Sequence, residues 1–343
     1  MKFSGALPRR LKIILASLLL AGCATAGFIG MNEDELFGKT QIFDHKLSAD
    51  SHGAAYYHQE VQPILENRCV VCHGCYDAPC QLKLSSADGI MRGASKQVVY
   101  NGTRLLASEP TRLGIDATTI EEWRAKDFFP VINERNQTSA INMANSVLYR
   151  MLALKANNPL PADDILDEDD FSLGLNRPQE CPTSSEMHAY EEDHPLWGMP
   201  YALPALSANE YSTLSGWIKG GAPMAASPKL PKDIQQQVDD WESFLNETDN
   251  KHRLTARYVY EHWFLASLYF SDEPLFRGID PKQRPENFFR LVRSYTPPGL
   301  PIEVVATRRP YDDPGVKRIY YRLERIKETI VAKTHMPYRL NDE

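Results

Sequence analysis

The alternation of apolar and polar positions predicts several amphipathic helices along this 343-residue chain. From residue 54 an apolar stripe recurs at helical spacing, and the helix that it predicts carries Cys69 and Cys72 at its C-terminal end. Residues 207–210 form a capping box, and the apolar stripe that follows stops at the glycine pair 220–221. We therefore expect two well-defined helices separated by a long intervening segment.

The rest of the pattern predicts further helices and two strands. Within the intervening segment, residues 139–154 have helical periodicity, and the acidic run at 163–170 is typical of a solvated loop. A proline-rich stretch at 223–231 marks a boundary. Beyond it the pattern predicts helices at 234–245, 254–270 and 316–332 and strands at 288–295 and 302–307. The helix at 254–270 is apolar nearly all round, so we expect it to be buried or to line a lipid-facing groove.

Candidate chemistry enters with residues 69–73, which read Cys-Val-Val-Cys-His. Cys-x-x-Cys-His is the attachment motif of c-type haem, in which both thiols bond the porphyrin and the histidine ligates the iron. Two intervening residues let both sulfurs reach one macrocycle, so we predict one covalent haem c per chain, held by Cys69, Cys72 and His73. The alternative is a zinc site, because Cys75 and Cys80 bring four cysteines into one short stretch.

The second axial ligand of the iron is predicted to be Met199. It precedes a proline just upstream of the second capped helix, which is the order of elements in small c-type cytochromes. His188 and His194 are the alternative ligands, and Met224 is a weaker one because it lies beyond that helix.

The other cysteines leave their pairing open. In an oxidising compartment we expect a disulfide between Cys75 and Cys80, which would leave Cys181 single, although the sequence does not settle the pairing.

The first 22 residues have the pattern of an export leader. Four basic residues accompany the apolar run 13–20, which is too short to span a bilayer as a helix. The run ends Leu-Ala-Gly-Cys, which resembles a bacterial lipobox and predicts that Cys23 is lipidated as the first mature residue. Ordinary cleavage after Ala26 is the alternative, and an uncleaved anchor is the least favoured. We expect a periplasmic protein, attached to the membrane through Cys23 or, after cleavage at Ala26, soluble there.

The charge of the chain excludes one class of partner. The formal net charge is −7, and removal of a basic leader makes the remainder more acidic still. Such a chain is a poor ligand for nucleic acid, and its charge does not draw it to anionic lipid. Any membrane contact must therefore come from a lipid anchor or from an apolar surface.

These patterns together predict a mainly α protein with two domains. The predicted organisation is a lipoprotein-type signal peptide at 1–22, a linker at 23–53, a cytochrome c-like helical haem domain with a long insertion at 54–227, and an incomplete C-terminal α+β region at 228–343.

Four stretches resemble one family, the bacterial fatty acid cis/trans isomerases. The most specific is the haem segment at 64–84, and 111–116, 257–262 and 333–337 also look like that family. The resemblance runs from about residue 55 to the end of the chain. Family members are considerably longer, so the resemblance implies that this chain is an N-terminal portion.

The resemblance implies a periplasmic haem isomerase that acts on cis-unsaturated acyl chains of membrane phospholipids. Such an enzyme converts cis double bonds directly to trans, without moving them and without ATP or a nicotinamide, so no nucleotide partner is expected. Straighter acyl chains pack more tightly and lower bilayer fluidity under stress. The cytochrome c maturation machinery is the expected partner for haem attachment.

The predicted cofactor suits this reaction. Rotation about a peptide bond, which is only partly double, already costs about 18–20 kcal/mol, so the π-bond of an alkene must be weakened before it can rotate. A ferric haem could withdraw an electron and leave a radical-cation-like centre that rotates and is then reduced again. The haem iron held by His73 is thus the predicted reactive centre, and His262 and His335 are expected to be hydrogen-bonded structural histidines. The alternatives are an electron-transfer cytochrome and an exported zinc-bound binding module.

Overall fold

The computed structural model describes residues 33–161, 166–168, 170–174, 176–271, 287–330 and 336–340. The leader with Cys23 and Ala26, part of the acidic run, and His335 lie outside the described residues. The described part forms a helical lobe (residues 33–226) and a sheet lobe (residues 228–340), each with its own apolar core. The chain is therefore mixed α/β, and the expectation of a mainly α protein is only partly right. The domain boundaries and the cytochrome c-like assignment stay predictions.

The helical lobe consists of short helices and two small ladders. A π-helical turn, Tyr57–Val61, joins two of the helices into one continuous stretch, as the sequence predicts. The helices are Glu33–Phe37, His52–Tyr56, Gln62–Arg68, Val70–His73, Ala87–Arg92, Ile120–Ala125, Ser139–Ala144, Val147–Asn157, Met187–Asp193 and Ala208–Lys219. The ladders are β1 (Lys46–Leu47) with β4 (Met224–Ala225), parallel, and β2 (Ala94–Ser95) with β3 (Phe128–Phe129), antiparallel.

The first and last long helical stretches of this lobe pack against each other. The capping box is confirmed, because the Ser207 hydroxyl accepts from the Glu210 amide and the Glu210 carboxylate accepts from the Ser207 amide. The rings of Tyr57 and Trp217 lie 6.2 Å apart across the contact. Apolar burial in this contact is the main stabilising term, at roughly 25 cal/mol per Å² removed from water. It holds the segment that carries Cys69 against the final helix.

The predicted helix at 139–154 is two helices, Ser139–Ala144 and Val147–Asn157. Ser146 separates them, because its hydroxyl accepts from the Tyr149 amide as an N-cap and donates to the carbonyl of Val131. Such side-chain bonds to the backbone compete with helix continuation.

The sheet lobe is a four-stranded sheet covered by two helices, Lys232–Leu245 and Asn250–Trp263. The strands are β5 (Ser267–Phe270), β6 (Phe288–Ser294), β7 (Tyr320–Ile326) and β8 (Pro337–Leu340), in the order β7-β6-β5-β8. The β5–β8 pair is parallel and the other pairs are antiparallel.

Three predictions for this lobe are wrong. The helix predicted at 254–270 ends at Trp263, and its last four residues are the fully buried strand β5. Within the helix predicted at 316–332, residues 320–326 are instead strand β7, in which Arg322 forms a buried ion pair with Glu242, 2.7 Å apart. Residues 331 and 332 lie outside the described residues. Residues 302–307 form only an isolated bridge between Val304 and Ser294. By contrast, the strand at 288–295 and the helix at 234–245 are confirmed.

Candidate functional site

The haem-binding motif lies where the first long helical stretch ends. The amide of Cys69 donates to the carbonyl of Leu65 at 2.9 Å, and a short helix, Val70–His73, follows at once. Cys69 is buried in the core of the helical lobe, whereas Cys72 is exposed. Burial raises the pKa of the Cys69 thiol to about 12. The two thiols therefore lie at different depths on one edge of the helical lobe.

The ring of His73 is buried, and one of its nitrogens faces a backbone carbonyl. Its Nδ1 lies 3.2 Å from the carbonyl of Leu82, and its own carbonyl accepts from the amide of Leu84 at 2.8 Å. Burial lowers the pKa of His73 to about 4, so the ring is neutral. Metal-ligating histidines characteristically donate one ring N–H to such a carbonyl and present the other nitrogen to the metal.

The residues of this segment fit a covalently bound haem. The imidazole is neutral and oriented through Nδ1, which leaves Nε2 as the ligand nitrogen. Cys72 is exposed, and Val71 beside it is 69% exposed, so the surface at the outer thiol is open. Cys69, Cys72 and His73 would hold the group; this set stays a prediction.

Met199 lies in a loop that is fixed against the Val147–Asn157 helix. Its amide donates to the carbonyl of Met151 at 3.0 Å, and its side chain packs on an apolar cluster that Leu82 also contacts. Gly198 makes the close approach possible, because a Cβ atom there would lie 2.3 Å from the amide nitrogen of Lys155. Lys155 is itself buried, and its Nζ has no partner among the described residues. The ligand role of Met199 stays a prediction.

The alternative ligands lie in three different settings. The side chain of His188 is 80% exposed, with Glu192 3.6 Å from its ring. His194 is stacked on Trp197, with ring centroids 4.4 Å apart. Met224 is fully buried in the core cluster that also contains Cys69. His188 is thus the most exposed of the three, and the ligand role of each stays a prediction.

The predicted disulfide is wrong. Cys80 pairs with Cys181 across 101 residues of sequence, with Cα atoms 5.7 Å apart, so Cys181 is not single and Cys80 does not bond Cys75. The bond brings the end of the long intervening segment back to the haem segment. It also removes Cys80 from the alternative zinc site, and no group of three metal-ligating side chains occurs within the described ranges.

The sequence did not predict a cleft that opens between the two lobes. It has a volume of about 220 Å³ and adjoins a larger cleft of about 950 Å³, with which it shares Arg92 and Arg290 among other residues. The helical lobe contributes Tyr76, three residues after His73, and the stretch 111–113. The sheet lobe contributes Tyr260 and residues 290–293, among others. The cleft therefore borders the haem segment.

Ion pairs and backbone contacts hold the cleft walls together. Arg112 binds Asp116 through two nitrogens and donates through Nη1 to the carbonyl of Thr307 at 2.8 Å, which joins the lobes. The amide of Thr329 donates to the carbonyl of Ser85 at 2.8 Å. The stretch 111–116, noted above for its resemblance, thus builds a wall of the cleft, and that resemblance was the only sequence signal for it.

The helix Asn250–Trp263 has an apolar face in solvent. Leu254, Tyr258 and Leu265 just beyond its end are 71%, 62% and 74% exposed. Of the two predicted settings, burial is wrong for this face and a lipid-facing groove stays a prediction; Leu265 also lines the cleft. His262 is exposed rather than in a core, although its Nδ1 lies 2.7 Å from the carbonyl of Tyr258 as a structural histidine would. No helix in the described ranges is both long and apolar enough to cross a membrane.

Comparison with known proteins gives one match. A family model described as fatty acid cis/trans isomerase (CTI) matches residues 108–343, the greater part of the chain. The matched region begins after the Cys69–His73 segment and includes the sheet lobe and most residues of the cleft. No curated protein and no solved structure matches the chain.

Proposed function

The chain belongs to the fatty acid cis/trans isomerase family, and from this membership we propose a haem-dependent isomerisation of cis-unsaturated acyl chains in membrane phospholipids. The double bond is converted in place to trans, which lowers bilayer fluidity when the membrane is under stress. The observation that carries the proposal is the position of the cleft. It is lined by Tyr76 and Lys83 of the haem segment 64–84 and by residues of the family-matched region.

Three residues of the haem segment have separate tasks. The thiols of Cys69 and Cys72 would form the covalent bonds, and Nε2 of His73 would ligate the iron while Nδ1 holds the ring to Leu82. When bound, the haem supplies the one-electron chemistry that weakens the π-bond. The apolar surroundings of Cys69 and the burial of His73 keep water from that side of the segment.

An acyl chain needs an apolar path to the haem segment. The exposed stripe of Leu254 and Tyr258 ends at Leu265, which is part of the cleft wall. Tyr76, on the other side of the cleft, leads back to His73 along the chain. Exposed apolar side chains on the helix that leads into the cleft support a lipid substrate, since exposed apolar patches mark ligand or membrane contacts.

We place the protein in the periplasm, attached to the membrane through lipidated Cys23. The leader pattern and the Cys-x-x-Cys-His motif support this location, because both belong to exported proteins with attached haem. Attachment at the membrane surface would also keep the enzyme near its substrate.

The test is product analysis by gas chromatography. The purified holoprotein is incubated with vesicles of cis-unsaturated phospholipid and, separately, with the free fatty acid, and the fatty acids are then separated as their methyl esters. We expect trans product from the wild type and from His52→Ala, which alters an exposed histidine outside the predicted ligand set. We expect none from His73→Ala, which loses its iron ligand.

Two results would contradict the proposal. Trans product from a haem-free variant would exclude haem dependence. Unchanged double bonds in both wild-type incubations, together with reversible haem reduction, would favour the electron-transfer alternative.

A further inference from the structure

Two arginines of the cleft are buried without a carboxylate in ion-pair contact. Arg92 and Arg293 are only 3% and 6% exposed, and both line the cleft. Among the described residues, no carboxylate lies within ion-pair distance of either guanidinium. Arginines are almost never fully buried unless they are paired, because a buried charge loses its hydration.

Each guanidinium is held in place by neutral groups. Arg92 donates to the carbonyls of Thr111 and Gln81, and Arg293 donates to the carbonyl of Asp312 and the hydroxyl of Thr307. The Nε atom of each arginine is buried and has no partner within the described ranges. Each guanidinium therefore keeps one N–H donor without a partner among the described residues.

Aromatic rings fix both side chains further. The Arg92 guanidinium lies 4.8 Å from the ring centre of Phe128, and that of Arg293 lies 5.1 Å from the ring centre of Tyr260. Burial lowers the pKa of Arg92 to about 10, which leaves it charged at neutral pH. The guanidinium groups of Arg92 and Arg293 are thus two positive charges that are largely shielded from water.

The other cations of the cleft are neutralised within the protein. Lys83 pairs with Glu328, Arg112 with Asp116 and Arg290 with Glu324. The cleft therefore carries an excess of two positive charges from Arg92 and Arg293, in a chain whose formal net charge is −7. An excess of this kind within an acidic protein is the electrostatic signature of an anion site.

We propose that the cleft binds the anionic head group of an acyl lipid, with Arg92 and Arg293 as the counter-charges. The apolar part of the wall, which includes Phe264, Leu265 and Leu291, takes the first methylene groups of the chain. The identity of the ligand as a lipid rests on the proposed function. The head group is a carboxylate if the substrate is an unesterified fatty acid, and a phosphodiester if it is a phospholipid.

The position of Arg92 connects the head-group site with the haem segment. Arg92 donates to the carbonyl of Gln81, and Nδ1 of His73 faces the carbonyl of Leu82. Both side chains are therefore anchored on consecutive carbonyls of one short segment. A lipid held by its head group in the cleft would extend its chain from a fixed point beside the haem segment.

The first experiment compares ligands on the wild-type holoprotein by isothermal titration calorimetry. The probes are decanoate, decanol and dihexanoylphosphatidylglycerol, and none of them has a carbon–carbon double bond. We expect at least one of the two anions to bind about tenfold or more tightly than decanol, because a hydrogen bond to a charged group contributes about 1.5–3 kcal/mol. Preference for decanoate identifies the carboxylate, and preference for the phosphatidylglycerol identifies the phosphodiester.

The second experiment uses variants. Arg293→Gln should weaken binding of the preferred anion about tenfold and leave decanol unchanged. The matched control is the double variant Arg150→Gln/Glu191→Gln, which removes an ion pair of the helical lobe that does not line the cleft and leaves the net charge unaltered. The control should bind the anion as the wild type does.

Equal affinities of the wild type for decanol and both anions would overturn the proposal, and this comparison does not depend on a variant that folds. An equal loss in Arg293→Gln and in the control would overturn it as well. Because the probes cannot be isomerised, binding is measured separately from turnover. Anion binding without trans product would leave the site intact and contradict the proposed function alone.

Discussion

The haem segment and the cleft differ in how the sequence encodes them. The motif of the haem segment is five consecutive residues, Cys69–His73, and it lies at the end of one helical stretch. The cleft is built from residues that lie as far apart as Tyr76 and Glu328, and it exists only when both lobes are in contact. A site of the first kind is visible as a motif. A site of the second kind is visible only as a set of charges and partners in three dimensions.

The family match makes this difference more informative. The matched region starts at residue 108, so it contains most of the cleft and excludes the haem segment. The part of the molecule that the family model matches thus lies outside the Cys69–His73 motif. Substitutions can separate the contributions of the two regions.

The largest effect is expected from Cys72→Ala. Loss of the outer thiol should abolish stable covalent haem attachment and isomerisation, while calorimetric binding of the preferred anion in the cleft stays at the wild-type level. Haem staining of the denatured protein measures attachment. Val71→Ala, which alters an exposed neighbour, should keep its haem. Loss of anion binding in Cys72→Ala would mean that the two regions do not act independently.

A substitution of Cys181 tests how much the disulfide that joins the distant residue 181 to the haem segment stabilises the fold. Cys181→Ala removes the disulfide across 101 residues of sequence and should lower the free energy of unfolding by about 4 kcal/mol, since long closed loops restrict the unfolded chain most. Urea unfolding under oxidising conditions measures this. The double variant Cys80→Ala/Cys181→Ala should match the single variant. An unchanged unfolding midpoint in Cys181→Ala would contradict the pairing.

The smallest of the three effects concerns the contact between the lobes. Arg112→Ala removes a hydrogen bond from a charged group to the carbonyl of Thr307, worth about 1.5–3 kcal/mol, and should weaken anion binding about tenfold. Haem content should be unchanged. Arg257→Ala, which breaks another i, i+4 pair on an exposed helix face, is the matched control and should alter neither quantity. A loss of haem in Arg112→Ala would show that docking of the lobes supports the haem segment.

The sequence predicted those elements of the fold that depend on local signals. The helix Ala208–Lys219 follows from its capping box and the glycine pair after it. Strand β7 was missed because the sequence does not show that Glu242, on a distant helix, pairs with Arg322 in the interior. The break at Ser146 was missed because its hydroxyl bonds a carbonyl of a preceding loop. In the two missed cases, partners from distant parts of the chain decided the local structure.

The same limit applies to the candidate site. Cys69, Cys72 and His73 are legible because their chemistry requires fixed spacing. The partner of Cys80 could not be found, because it depends on where the long intervening segment returns. Arg92 and Arg293 look like any other arginines in the sequence. They stand out only after every carboxylate near them has been located.

The two consecutive carbonyls of Gln81 and Leu82 have one further consequence. One receives a bond from Arg92 in the cleft, and the other faces the ring of His73. An anion that shifts Arg92 would therefore pull on the peptide unit next to the one that orients the imidazole. Thermodynamic linkage makes such an effect reciprocal. If an anion in the cleft changes the reduction potential of a group on His73, reduction of that group must change the affinity of the cleft for the anion by the same free energy.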